Sequence, residues 1–340
     1  MVRKQIAYII LVFLILNLSF VFSACKKNHT IVQIDHDKLT LKDFLFDIYI
    51  IEQDRKIWNE KYKEILGTDY WDYEFNGMTM EQISKNTIMA KVVYHEILSR
   101  QAKKEGYTLN KVELADSEAN ADKLLSSMSD KDINNSGITR DVLIKSYNKL
   151  ALADKYYSAI TSGFKVDEEA IKSTIDPEEY REYVTECLYI PTAEVNSGRI
   201  ISYGESEIKE AYDNILYIMR LIQNGNDFDT VLDTVDGIMH YKRSFILSDS
   251  TAEKEYKEAV RNLDNGDYSD VITTQFGYYI IHMLDNNSTV RYEEATERAV
   301  MNEKAALFEI HYEKLLQDYD IKINSEYWDS IDLGSVTSEG

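Results

Sequence analysis

The sequence predicts an α+β chain, a helical lobe followed by an α/β domain, on three observations. Two prolines and 13 glycines in 340 residues leave long stretches free to stay helical, and Lys, Glu, Ala and Ile are abundant. Between residues 41 and 160, apolar side chains recur at helical spacing behind good capping residues. Beyond Pro177 the pattern changes to strands and helices in the order β-α-α-β-α-β-β.

The chain carries 38 basic and 59 acidic residues, a formal charge of −21. That balance excludes binding of nucleic acid through a basic face. The two cysteines, Cys25 and Cys187, cannot build a disulfide framework, and six scattered histidines have no metal-ligand spacing. No metal or other cofactor is expected. Cys187 reads as a small buried apolar residue rather than a nucleophile.

Residues 1–24 read as an export signal. Arg3 and Lys4 form its positive start, an apolar run follows from Ile6 to Phe22, and Phe22-Ser23-Ala24-Cys25 closes it. Small residues before a cysteine are the pattern of a bacterial lipoprotein signal, which is cleaved to leave a lipid on Cys25. An uncleaved anchor and a plain secretory peptide are the alternatives. The expected location is extracytoplasmic, with the lipid on Cys25 holding the chain at the outer face of the cytoplasmic membrane. Removing Arg3 and Lys4 takes the charge from −21 to −23.

Residues 30–34 predict a strand. Thr40 caps a helix bearing Phe44, Leu45, Ile48 and Ile51 on one stripe. Tyr70, Trp71, Tyr73 and Phe75 make 67–77 an aromatic connector, which either grips unfolded apolar segments or packs onto the helical core. Thr79 with Gln82 is a capping-box pattern opening a helix to Glu105, with Gly106 ending it. Its apolar residues cover more than one stripe, so it is buried on more than one side. Further helices are predicted over 111–129 and from Thr139 to about residue 160, with a loop at 130–137. The second domain starts near Tyr180. Its first strand runs over 185–190, and Ala211, Ile215, Ile218 and Ile222 mark the buried stripe of its first helix. A second strand is read at 243–247, a helix capped by Ser250 or Thr251 follows, and the last strands lie within 271–284. A long helix from Glu293 to Asp320 and a disordered tail over 333–340 complete the chain.

Several of these stretches carry a family resemblance. Gly225-Asn226-Asp227-Phe228, Leu263-Asp264-Asn265-Gly266-Asp267-Tyr268-Ser269 and Phe276-Gly277-Tyr278-Tyr279-Ile280-Ile281 together resemble the parvulin domain, the small fold of one class of peptidyl-prolyl isomerases. Strand, turn and Leu39-Thr40 before Phe44, together with Ala102-Lys103-Lys104 before Gly106-Tyr107, resemble the opening lobe of PrsA- and SurA-like foldases. The resemblance implies a SurA-N-like helical chaperone lobe over 25–176. It also implies an inserted parvulin-like domain over 180–286, built on a four-stranded antiparallel-type sheet with flanking helices. A C-terminal helix over 290–326 would return to the lobe. The implied role is a membrane-anchored extracytoplasmic foldase acting on unfolded or partly folded exported polypeptides. A homodimer through the helical lobe is compatible with it.

Parvulins resemble one another in two histidines, on the first and last strands, beside a Cys or Asp. Here the first falls at Leu188 or Tyr189, the second at Tyr279, and the acid at Asp236. Tyr279, Tyr189 and Asp236 are therefore the candidate catalytic residues. Phe276, Ile280 and Met283 are the candidate proline-binding residues, each of which also reads as core. His240 is expected as a solvated loop residue. His282 should point away from the Tyr279 face, since neighbours on a strand alternate. Two functions stay open: a foldase whose tyrosines replace the histidines, and a non-catalytic chaperone or holdase whose parvulin-like domain only binds clients. A third reading, a scaffolding lipoprotein, would predict no affinity for unfolded chains.

Overall fold

A computed structural model of the chain describes residues 29–337. The expected signal over 1–24, the lipidation cysteine Cys25 and residues 338–340 lie outside them. The chain divides into two compact units. One takes the described residues up to Phe164 and again from Ala305; the other is Lys165–Lys304.

The first unit is helical around a small sheet. Strands β1 (Thr30–Ile34) and β2 (Asp37–Thr40) form a hairpin that leads directly into α1 (Leu41–Leu66). The Asp43 carboxylate accepts the Thr40 N–H at 3.0 Å, fixing the start of α1, and Gly67 at φ 68° ends it. A second hairpin, β3 (Glu74–Phe75) and β4 (Met78–Thr79), turns through Asn76 and Gly77, both at positive φ. Helix α2 (Met80–Lys104) starts on the expected capping box: Thr79 Oγ1 accepts from Gln82 N and Gln82 Oε1 accepts from Thr79 N. Beyond its end Gly106 takes φ 85°, and Tyr107 N reaches back to Ala102 O at 2.8 Å. Ile88, Met89, Val92, Val93, Ile97 and Leu98 are all buried, so α2 is the central helix of this unit. Helices α3 (Lys111–Ser127), α4 (Asp130–Ser136) and α5 (Arg140–Gly163) follow.

Three expectations for this unit are corrected, and the two readings left open for the connector are decided between. Residues 130–137 are not loop, because Ser129 caps α4 and Gly137 closes it at φ 67°. The connector over 67–77 splits: Tyr70 is buried, with an edge contact to Tyr62, and Trp71 packs on the core, while Phe75 is 57% exposed at the hairpin. The C-terminal helix does not reach 326. It stops at Leu316, and Ile321–Ile323 forms strand β11, paired with β1. Finally, 333–337 is ordered packing rather than tail. The buried Glu52 carboxylate accepts N–H groups from Gly334 (2.7 Å), Val336 (3.1 Å) and Thr337 (2.8 Å), plus the Thr337 hydroxyl. Gly334 is required there, since a Cβ would stand 2.4 Å from the Trp71 ring nitrogen.

In the second unit, short helix α6 (Glu168–Lys172) and a 3-10 turn at Pro177–Tyr180 precede β5 (Glu182–Pro191). A hairpin follows, β6 (Ala193–Asn196) and β7 (Arg199–Ser202), which the expected element order lacks. Then come α7 (Glu205–Gln223), α8 (Phe228–Val231), β8 (Met239–Ile246), α9 (Lys254–Val260), β9 (Ile272–Thr273) and β10 (Gly277–Ser288). Strand order in the four-stranded antiparallel sheet is β8-β5-β10-β9. Ala211, Ile215, Ile218 and Ile222 of α7 are buried, as their spacing predicts. Helix α10 (Val290–Leu316) runs out of this unit into the first, and α11 (Ser325–Asp329) follows β11.

Candidate functional site

Antiparallel pairing sets the faces of the sheet. Tyr189 of β5 stands opposite Tyr279 of β10, and Cys187 of β5 stands opposite Tyr241 of β8. Odd-numbered residues of all three strands therefore share one face. Even-numbered residues, including Glu186, Leu188, His240, Ile280 and His282, share the other.

The odd face is packed with tyrosine. Tyr189 and Tyr279 stack with ring centroids 4.5 Å apart, and Tyr256 of α9 meets Tyr279 edge-on at 5.4 Å. Tyr279 is 2% exposed. Its hydroxyl donates to Glu253 Oε1 at 2.7 Å, and Arg243 donates to Glu253 Oε2 at 3.0 Å. The Arg243 guanidinium lies over the rings of Tyr241, Tyr256 and Tyr279, 5.0–5.9 Å from their centroids. Burial pushes the Tyr279 hydroxyl far above the usual tyrosine range, and its bonds to Tyr241 and Glu253 push it further. Burial alone would raise the Glu253 carboxyl, but the Tyr279 and Arg243 hydrogen bonds outweigh it and hold the group below its usual value. The result is a neutral phenol, a fixed carboxylate and a fixed cation, each already partnered. Cys187 is fully buried, and burial raises its thiol. This is a packed, hydrogen-bonded core rather than an open pocket.

The structure brings only part of the expected site together. Tyr189 and Tyr279 meet. Asp236 does not join them: it is exposed on the turn before β8, and the carboxylate bonded to Tyr279 is Glu253. Glu253 is the N-cap residue of α9, and its carboxylate makes no capping bond because it faces the cluster. Phe276 is half-buried, and its carbonyl accepts the Tyr189 hydroxyl and Thr192 N–H, both at 2.8 Å. Met283 lies on the tyrosine face and Ile280 on the opposite one, so these two do not line one pocket; both are fully buried. Gly277 is needed where β10 approaches β5, for a Cβ would stand 2.2 Å from Ile190 O and 2.6 Å from the Tyr189 ring.

A second cluster occupies the even face. Glu186 bonds His282 Nδ1 at 2.7 Å and His240 Nε2 at 3.2 Å. Tyr268 stacks on His282 at 4.3 Å, and Phe228 meets both imidazoles edge-on. His240 is thus a strand residue held by a carboxylate, not a solvated loop residue, while His282 does point away from Tyr279. The sequence signal for His240 was its alternation with Lys242 ahead of Phe245. Among the described residues no group of three or more ligating side chains is placed to hold a metal.

In the helical unit, Trp58, Ile65, Leu66, Phe75 and Met78 are all exposed apolar side chains at the far half of α1 and the β3–β4 hairpin. A separate cavity of about 870 Å³ lies between β2, α2 and α5, and the ion pairs of Glu96 with Arg100 (2.8 Å) and Lys149 (2.5 Å) line it. Among the described residues, no helix is long and apolar enough to cross a membrane.

No family model matches the sequence. Over 157 residues the chain is 29% identical to the foldase protein PrsA of Exiguobacterium sibiricum, covering 41% of this chain and 48% of that protein. The chain therefore spans about half the length of the curated relative it matches. Among solved structures, it is similar to a SurA-like chaperone of Campylobacter jejuni at 13% identity, covering 87% of this chain and 99% of the other, with a TM-score of 0.34. It is also similar to the foldase PrsA of Lactococcus lactis (13% identity, 92% and 100% covered, TM-score 0.32). The peptidylprolyl isomerase PrsA of Bacillus cereus gives 19% identity, with 82% and 91% covered and a TM-score of 0.24.

Proposed function

We propose that this chain is an extracytoplasmic folding assistant of the PrsA kind that holds unfolded exported polypeptides, and that its parvulin-like domain binds clients without turning over prolyl bonds. The observation that carries the second half is Tyr279. A group that stabilises a twisted prolyl amide must touch it, with a donor free to strengthen its bond in the transition state. Tyr279 is 2% exposed, and its hydroxyl is committed to Glu253. The partial double bond of an X-Pro amide carries a barrier of ~18–20 kcal/mol, and the committed Tyr279 hydroxyl is not free to lower it. The exposed apolar side chains of the helical unit support the holding role. In this proposal Cys25 carries the lipid anchor and the C-terminal segment completes the helical lobe.

Two measurements test it. NMR exchange spectroscopy on short X-Pro peptides should show no acceleration of cis-trans exchange by the purified protein. Light scattering should show that the same preparation suppresses aggregation of a reduced, unfolded client. Acceleration at stoichiometric protein would overturn the non-catalytic half, and absence of any effect on aggregation would overturn the holding half.

A further inference from the structure

We infer that the β6–β7 ribbon is a strand-addition site, where an extended apolar segment of an unfolded polypeptide pairs with an open edge. The inference deepens the client-binding proposal and rests on it.

The ribbon stands alone as a two-stranded sheet in perfect register, Ala193 opposite Ser202 through Asn196 opposite Arg199, with no bulge. Every residue from 194 to 202 is exposed, and Val195 (62%), Ile200 (44%) and Ile201 (45%) are large apolar side chains left in water. Natural edges are protected by lysine, proline, bulges or a covering element. Neither strand of this ribbon contains lysine or proline, and among the described residues none buries it beyond Ala193. Apolar residues face both sides of the ribbon, so a hairpin built only to cap a core does not explain them.

The turn fixes which backbone groups are free. Ser197 (φ 51°) and Gly198 (φ 76°) make a two-residue turn with both central residues at positive φ. In such a hairpin the pair next to the turn, Asn196 with Arg199, exchanges hydrogen bonds, and the next pair, Val195 with Ile200, does not. The N–H and C=O groups of Val195 and Ile200 therefore point outward, one set on each edge. The most exposed apolar residue and its partner are the ones that offer backbone groups to an incoming strand.

The size of the ribbon selects the occupant. It offers eight strand residues, four per strand, whereas a stable interface takes roughly 20–30 residues a side. A second copy of this chain would not stay bound to it; an extended segment held by a few backbone bonds and released again would. Charge does not discriminate against such segments, since Glu194 and Arg199 are the ribbon's only charged residues and cancel. The ribbon also springs from the candidate site: Thr192 N bonds Phe276 O at 2.8 Å, and Tyr203 N bonds Thr192 O at 2.8 Å. The base of the ribbon is therefore tied to the Phe276 backbone.

The test uses the purified full chain and a fluorescein-labelled, proline-free decapeptide of alternating valine and threonine, read by anisotropy. Val195→Pro with Ile200→Pro removes the two outward N–H groups without touching a ladder bond. Val195→Ala with Ile200→Ala trims the side chains and keeps the donors. The double proline variant should weaken peptide binding at least tenfold and the double alanine variant about threefold. Peptides N-methylated at alternate residues provide a check that needs no variant: one parity should bind the wild type as the parent does and the other should lose at least tenfold. Equal binding by all three proteins, equal losses in the two double variants, or no preference between the methylation parities would overturn strand addition. If the wild type binds neither this peptide nor a reduced, unfolded client protein, the client-binding proposal itself falls. Client binding that is unchanged in both double variants removes only the ribbon's part.

Discussion

Tyr279→Phe separates a structural role for this tyrosine from a catalytic one. The substitution keeps the ring, and with it the 4.5 Å stack on Tyr189 and the edge contact to Tyr256. It removes one hydroxyl, hence the 2.7 Å bond to the Glu253 carboxylate. Glu253 is not orphaned, because Arg243 still donates to it at 3.0 Å. The loss is therefore that of one charge-assisted hydrogen bond and the weaker bond to Tyr241, in a mostly buried place, about 2 kcal/mol. Glu253→Gln should cost more, about 3 kcal/mol, because it leaves the Arg243 cation beneath three aromatic rings without its countercharge. The two effects should couple by about 1 kcal/mol or more in a double-mutant cycle. Amide exchange along β5 and β10 in urea reads the second unit. All three tryptophans, Trp58, Trp71 and Trp328, lie in the first unit, so their fluorescence transition serves as an internal reference. A Tyr279→Phe loss under about 0.5 kcal/mol, or a cycle without coupling, would refute the account of this cluster as a hydrogen-bonded core.

Three further outcomes are expected. Gly277→Ala should cost at least about 3 kcal/mol by urea denaturation, because a Cβ 2.2 Å from Ile190 O forces β10 away from β5. Glu52→Ala should free the C-terminal segment, seen as rapid amide exchange at Gly334, Val336 and Thr337 with a stability loss of about 2 kcal/mol, limited because the segment can detach. Asp47→Asn should stabilise the protein at pH 7 by about 1–2 kcal/mol. Burial raises the Asp47 carboxyl from 3.8 to about 6 against the pull of Lys91 and Lys149, so folding favours the protonated form. Stability from this group is full below pH 3.8 and lost as pH climbs to about 6. The advantage of the asparagine variant should therefore vanish in acid, as pH-dependent thermal melts would show.

Long helices were legible in the sequence because two signals agreed in each. The Thr79–Gln82 capping box and the α2 apolar stripes both survive in the structure, as does the buried stripe of α7. Short hairpins were not legible. The β3–β4 and β6–β7 pairs are two to four residues long, too short for alternation to register, and are made by the turns Asn76-Gly77 and Ser197-Gly198. Strand β11 was read as helix because three residues, Ile321–Ile323, have no period of their own; pairing with β1 decides their state. In the site, the stacked tyrosines followed from strand register, which a sequence can carry. Glu253 did not, because it reaches Tyr279 from a helix start 26 positions away, and only the docking of α9 on the sheet selects it over Asp236.

The closure of the first unit has a consequence for the order in which the chain can mature. Its first strand pairs with residues 321–323, and Glu52 waits for amides 282 or more positions downstream. A polypeptide emerging from its N-terminus presents β1 with one edge unmatched until residues 321–323 are out, and Glu52 without its 334–337 amides until those follow. The four-stranded sheet, by contrast, closes between Glu182 and Ser288, so all its pairing partners emerge while the earlier segment still waits. Loss of the residues from 321 onward, by early termination or by a protease, would leave the four-stranded sheet whole and β1 with one edge open. A chain that stops short of β11 is thus a different object: it has the exposed β6–β7 ribbon without the closed first unit.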